Sequence, residues 1–194
     1  MAGVFITFEG SEGCGKTTQI QSLSNKLKTF GKTVEVTREP GGTEIGESIR
    51  DLLQDPLNAD KITPITELLL FSACRSELSE RTIKPALARG NFVVCDRFYD
   101  STYVYQGIGR SLNLSYIEQL KTISVGTLTP DLTIILDLNA GIGLQRAENR
   151  QLGTLDRIEA ESLHFFEKIR QGYLDLAKSE PERFFIIDGS LSVQ

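Results

Sequence analysis

Several things are missing from this 194-residue chain, and each absence narrows what it can be. No apolar run approaches the roughly 20 residues that a membrane-spanning helix needs, so no membrane role is expected. There is no surplus of positive charge: 21 Lys and Arg stand against 26 Asp and Glu, a formal charge of −5. That balance argues against a general nucleic-acid binder, although arginines gathered at one place can still make a positive site. The opening Met1-Ala2-Gly3-Val4-Phe5 has neither a basic stretch nor a cleavage site, so no secretory leader is expected. Cysteine is scarce. Cys14, Cys74 and Cys95 are odd in number and lack metal-ligand spacing, which reads as reduced thiols in a cytoplasmic protein. No internal repeat or low-complexity linker divides the chain, so residues 1–194 read as a single α/β-sized domain.

What is present alternates. Short apolar, β-branched runs at residues 4–8, 33–36, 91–95, 132–138 and 184–187 have strand length. Several are apolar throughout, the pattern of strands covered on both faces. Between them lie helical stretches at about 16–30, 43–53, 65–89, 115–125, 141–151 and 155–178. The expected fold class is α/β: a five-stranded parallel sheet flanked by helices in three layers, with right-handed crossovers. Residues 38–90 and 97–130 are long for simple crossovers and predict extra helices, a substrate platform above the sheet. After the last strand, Asp188-Gly189-Ser190 looks like the start of another helix.

The strongest motif is Gly10-Ser11-Glu12-Gly13-Cys14-Gly15-Lys16-Thr17, followed by Thr18. It satisfies G-x-x-x-x-G-K-[ST] between an expected strand and an expected helix, the context that gives the motif meaning. Glycines let successive N–H groups turn toward one anion, and the helix start adds its positive end. Lys16 is placed to reach the β- and γ-phosphates of ATP, and Thr17 offers a hydroxyl to Mg²⁺. The motif places the chain with the P-loop NTPase fold. Asp96, closing an apolar strand, is the expected Mg²⁺ carboxylate; a helix N-cap is the alternative for it, and Asp137 competes for the metal role. For Cys14, a lowered thiol pKa near the helix start stands against simple space filling.

A P-loop names no reaction. The blocks VFITFEGSEGCGKTTQ, TREPGGTEIGESIR, LLLFSACRSEL, VVCDRFYDSTYVYQG and LDRIE occur in this order. Together they resemble the bacterial-type thymidylate kinase family along nearly the whole chain. The resemblance implies phosphorylation of thymidine monophosphate (dTMP) by ATP with Mg²⁺, and a homodimer formed by helices. It implies that Arg38, Arg50 and Arg97 grip the acceptor phosphate, as planar guanidinium groups suit. Ion pairs to Glu39 or Asp96, or solvation, are the plain alternatives. It further implies that Phe71 stacks on the thymine ring and Arg75 bonds a base carbonyl. Thr102 and Gln106 read base and sugar, and Tyr105 crowds a ribose 2′-hydroxyl. Glu12 is expected to face the acceptor's 3′-hydroxyl.

The lid is expected at about 141–157. Because the loop carries Glu12-Gly13-Cys14 and no basic residue, the resemblance implies that lid arginines supply charge to the transition state. Arg150 is the first candidate, with Arg146 and Arg157 beside it; salt bridges to Glu148 or Glu159 are the alternative. One departure is Asn139, where the family often has proline. Rival readings are a kinase for another nucleotide, a decayed scaffold, or a regulatory NTPase switch. The last lacks its Asn-Lys-x-Asp signature here.

Overall fold

Strands without a polar face need cover on both sides, and the structure, a computed structural model describing residues 3–150 and 155–191 (for Arg150 the backbone alone), supplies it. Five strands form one parallel sheet: β1 (Val4–Glu9), β2 (Val34–Arg38), β3 (Phe92–Asp96), β4 (Leu132–Asp137) and β5 (Phe184–Asp188). Their order is β2-β3-β1-β4-β5. The three central strands are almost wholly buried, while the edge strand β5 leaves Phe185 and Ile186 exposed.

One face, with Ile6, Phe8, Val94, Ile134 and Leu136, packs on α1 (Lys16–Thr29) through Ile20, Leu23 and Leu27. The other carries Phe5, Val93, Cys95 and Ile135. It lies under α3 (Pro64–Leu78), α6 (Leu114–Val125) and α8 (Leu163–Ser179), together with the short α4 (Lys84–Ala88). Each large apolar side chain buried this way contributes about 1.5–3 kcal/mol. The expected extra helices are α2 (Glu44–Gln54), α3, α4, α5 (Tyr99–Thr102) and α6, and α7 (Ala140–Arg150) follows β4. Cys14, Cys74 and Cys95 are free and buried.

Two expected helices differ in detail. The stretch 65–89 is α3 and α4 joined by a wide π turn, Ser79–Ile83. Pro85 explains the break, since it has no N–H for the carbonyl four residues back. The stretch 155–178 is helical only from Leu163, where Ser162 caps the first turn by accepting from Phe165 N at 3.2 Å. Before that, Asp156 Oδ1 accepts from Ile158 N and Glu159 N, both at 2.8 Å, and holds a turn instead. After β5, Ser190 N and Oγ donate to Asp188 Oδ1 in a local turn, and the helix expected to follow lies largely outside the described residues.

Because the strands are parallel, their carboxyl ends lie along one edge. β1, β2 and β3 deliver Glu9, Arg38 and Asp96 there, next to the phosphate-loop motif.

Candidate active site

The loop after β1 turns through Gly10 (φ 133°), Gly13 (φ 67°) and Gly15 (φ 95°), values that side chains other than glycine rarely adopt. Lys16 folds back over it, donating to the carbonyls of Gly10 (3.1 Å) and Ser11 (3.0 Å). The exposed Thr17 and Thr18 face the cleft beside it. Cys14, within the loop, is buried and packs with Phe8 and Ile20, and its Sγ lies 3.6 Å from Lys16 Nζ.

The cleft has a volume of about 520 Å³. Its walls bring together Glu12 to Thr18 of the loop with Arg38, Arg50, Phe71, Asp96, Arg97, Thr102, Tyr105, Gln106 and Arg146. Gly10 and Ser11 are not in that lining; their carbonyls hold Lys16.

Arg97 follows β3 in a left-handed conformation, φ 69°, unusual for a long side chain. Its guanidinium is gripped from three directions: Glu12 Oε1 at 2.8 Å, Ser101 Oγ at 3.2 Å and Tyr173 hydroxyl at 3.1 Å. The Tyr105 ring lies 4.9 Å from it, and the Tyr105 hydroxyl donates to both Glu12 oxygens. Glu12 therefore turns away from Lys16 toward the arginine side. The partner of Arg97 is Glu12 rather than Asp96, and that of Arg38 is Glu47 at 2.8 Å rather than Glu39. Arg50 donates to Pro40 O at 2.9 Å, and burial together with the Arg38 charge lowers its pKa.

Arg75, expected at the base, is not among the residues lining the cleft. It is 2% exposed and lies behind the cleft wall, pairing with Glu39 Oε2 at 2.8 Å and Thr102 Oγ1 at 2.7 Å. Burial pushes the Glu39 carboxyl up to about 7, against the pull of Arg75.

The lid arginines separate. Arg146 on α7 reaches Gly189 O at 3.3 Å and lines the cleft. Arg157 is buried, donating to Leu53 O at 2.7 Å and pairing with Glu67 Oε2 at 2.7 Å, and is not among the residues lining the cleft. The Arg150 side chain lies outside the described residues. Asn139, the departure from the family pattern, caps α7 by accepting from Gly141 N and Ile142 N.

Among the strand-end acids, Asp137 is bound bidentately by Arg170 at 2.6 and 2.8 Å, whereas Asp96 opens on the cleft. No cluster of three or more His, Cys, Asp or Glu groups suited to a metal occurs among the described residues. One carboxylate and one hydroxyl fit Mg²⁺, which keeps several waters and binds through few protein groups plus phosphates.

Two features escaped sequence reasoning. Glu9, fully buried, accepts from Phe98 N (2.8 Å), Ser101 Oγ (2.6 Å) and the Tyr173 hydroxyl (2.8 Å), fixing the segment that carries Arg97. Burial, then the charge of Asp100, pushes its carboxyl up to about 7. The second is Gly143 on α7, packed so closely that a Cβ there would sit 2.4 Å from Glu12 O. An acid ending an apolar strand, and a glycine inside a helix, were the available signals.

This arrangement of a phosphate loop facing an arginine cluster has relatives. The family model described as Thymidylate kinase matches residues 8–194. The chain belongs to the thymidylate kinase family. It is 50% identical to the thymidylate kinase of Geobacter sp. strain M21, over 99% of this chain and 87% of that one. The Deinococcus radiodurans thymidylate kinase is 48% identical, covering 97% and 89%. In three dimensions it is similar to the crystal structure of thymidylate kinase from Ehrlichia chaffeensis, with a TM-score of 0.79 and 36% identity over 96% of this chain and 93% of that one.

Proposed function

We propose that the cleft phosphorylates dTMP to the diphosphate with ATP as donor. The observation that carries this reading is the division of one loop between two jobs. Lys16 and Thr17 stand at the donor end, while Glu12 is tied to Arg97 and Tyr105 at the other. A switch NTPase has no use for the second set.

Lys16 and the loop N–H groups hold the β- and γ-phosphates of the donor; Arg38, Arg50 and Arg97 hold the acceptor phosphate. That phosphate is already ionised, so its oxygen attacks the γ-phosphorus without a strong general base. The bond to the β–γ bridging oxygen breaks, and ADP leaves. Alignment and charge neutralisation then carry the rate. Thr17 and Asp96 are the residues that would hold Mg²⁺, which when bound neutralises phosphate charge. Arg150, with Arg146, supplies charge from the expected lid. Phe71 stacks on the base, and Tyr105 crowds the 2′ position of the sugar. The test is an acceptor panel of deoxy- and ribonucleoside monophosphates with ATP. The expected result is the highest kcat/KM for dTMP; a higher value for a purine or cytidine acceptor overturns the reading.

We also propose a homodimer. The adjacent helices α3 and α6 leave Leu69 and Ile123 50% and 78% exposed, with Ile65 and Tyr116 beside them, a surface suited to a second copy. A Leu69→Glu variant is expected to elute at half the mass of the unaltered chain. No helix among the described residues is long and apolar enough to cross a membrane.

A further inference from the structure

Behind the base end of the cleft, α3 buries Glu67 to 2% exposure. Three side chains converge on it. Gln106 Nε2 donates to Oε1 at 2.7 Å. Arg110 donates from Nε to Oε1 at 3.2 Å and from Nη2 to Oε2 at 3.3 Å. Arg157 Nη2 lies 2.7 Å from Oε2. Burial opposes ionisation of this carboxyl, but the bond from Gln106 and the charges of Arg110 and Arg157 outweigh it and hold Glu67 below its usual range.

An ionised carboxylate accepts hydrogen bonds and donates none. Glu67 therefore fixes which end of the Gln106 amide faces it: the NH₂ group. The carboxamide oxygen is the end left for the cleft, where Gln106 forms part of the wall. No donor among the described residues is bonded to that oxygen. A pyrimidine with hydrogen on N3, such as thymine or uracil, offers it a donor. Cytosine offers a lone pair at N3, so two acceptors would face each other, an arrangement that buried sites reject strongly.

We propose that Glu67 is a positioning residue for base selection: by locking the Gln106 amide in one orientation, it makes the cleft prefer N3–H pyrimidines over cytosine. The inference rests on the dTMP reading above and deepens it. Arg110 and Arg157 serve it indirectly, by keeping the carboxylate charged and in place.

The experiment measures kcat and KM for dTMP and for 2′-deoxycytidine monophosphate in the full chain, in Glu67→Gln, in Gln106→Leu and in the double variant. Glutamine at 67 keeps the shape but can donate as well as accept, so the Gln106 amide is free to turn. Glu67→Gln is expected to lower the dTMP preference in kcat/KM by about tenfold, mainly through KM for dTMP, with KM for ATP unchanged. In the Gln106→Leu background the same change is expected to have no further effect, because its route is gone. Equal loss toward both acceptors, an unchanged ratio, or additive effects in the double variant overturn the proposal. An unaltered chain inactive on dTMP overturns the functional reading itself; an active one with an unchanged ratio in Glu67→Gln overturns only this inference. If Glu67→Gln does not fold, hydrogen exchange of the Gln106 side-chain NH₂ in the unaltered chain decides. Slowed exchange is expected, and exchange at the rate of a free carboxamide overturns the lock.

Discussion

Glu12 and Arg97 meet across the cleft with Oε1 2.8 Å from Nη2, and the Tyr105 hydroxyl closes on the same carboxylate. The pair is mostly buried, so solvent screens it little. Removing the carboxylate leaves Arg97 without its charged partner. Glu12→Ala is expected to lower kcat/KM for dTMP by about ten- to a hundredfold, the worth of a charge-assisted hydrogen bond, with KM for ATP little changed. Steady-state kinetics in each substrate check this; equal losses for both would contradict the assignment of Glu12 to the acceptor.

Gly143 packs α7 against the phosphate loop. A methyl group there would meet the backbone oxygen of Glu12 at 2.4 Å, and a backbone atom has little freedom to yield. Gly143→Ala is expected to raise KM for ATP several-fold and to cost about 1–3 kcal/mol of stability, as overpacking does. Nucleotide titration and denaturant unfolding measure the two effects. A variant with unchanged ATP binding would show that the contact is not transmitted to the loop.

The two strand-end acids are expected to separate by function. Asp96→Asn should raise the Mg²⁺ concentration needed for half-maximal rate, because Asp96 opens on the cleft. Asp137→Asn should leave that concentration unchanged and lose stability by about 1 kcal/mol or less, since its Arg170 partner is partly exposed. A Mg²⁺ titration of both variants reads the contrast directly.

Glu9 predicts a pH dependence of stability. Its folded-state pKa is about 7, above the ordinary 4.5, so the folded protein holds the proton more tightly than the unfolded chain. The associated stability is fully present below about pH 4.5 and is lost as the pH rises through about 7, on the order of 3 kcal/mol in all. Glu39, also raised to about 7, acts in the same direction. Urea unfolding between about pH 5 and about pH 8 should therefore show a shallower decline for Glu9→Gln than for the unaltered chain. Identical slopes would remove Glu9 as the source.

The sheet and the phosphate loop were legible because their signals are local. An apolar run bounded by turns, or glycines at fixed spacing before Lys16, needs no knowledge of distant residues. Partnerships were not. Glu9 and Tyr173 lie 164 residues apart, and Arg75 finds Glu39 across 36, so periodicity says nothing about either. Arg75 illustrates the limit: its helical spacing from Phe71 put both on one face, yet α3 turns the arginine behind the wall that the phenylalanine lines. The late start of α8 has the same origin. Asp156 and Ser162 both suit a helix cap, and only the anchoring of Arg157 under α2 decides that the helix waits for the second.

One cleft is expected to pass a phosphoryl group from ATP to dTMP without a partner protein. The most direct measurement follows both products at once, ADP and the thymidine diphosphate, with the purified chain, Mg²⁺ and both substrates. One thymidine diphosphate is expected for each ATP consumed, with the loss of both products in Lys16→Ala. ATP consumed without thymidine diphosphate would contradict it.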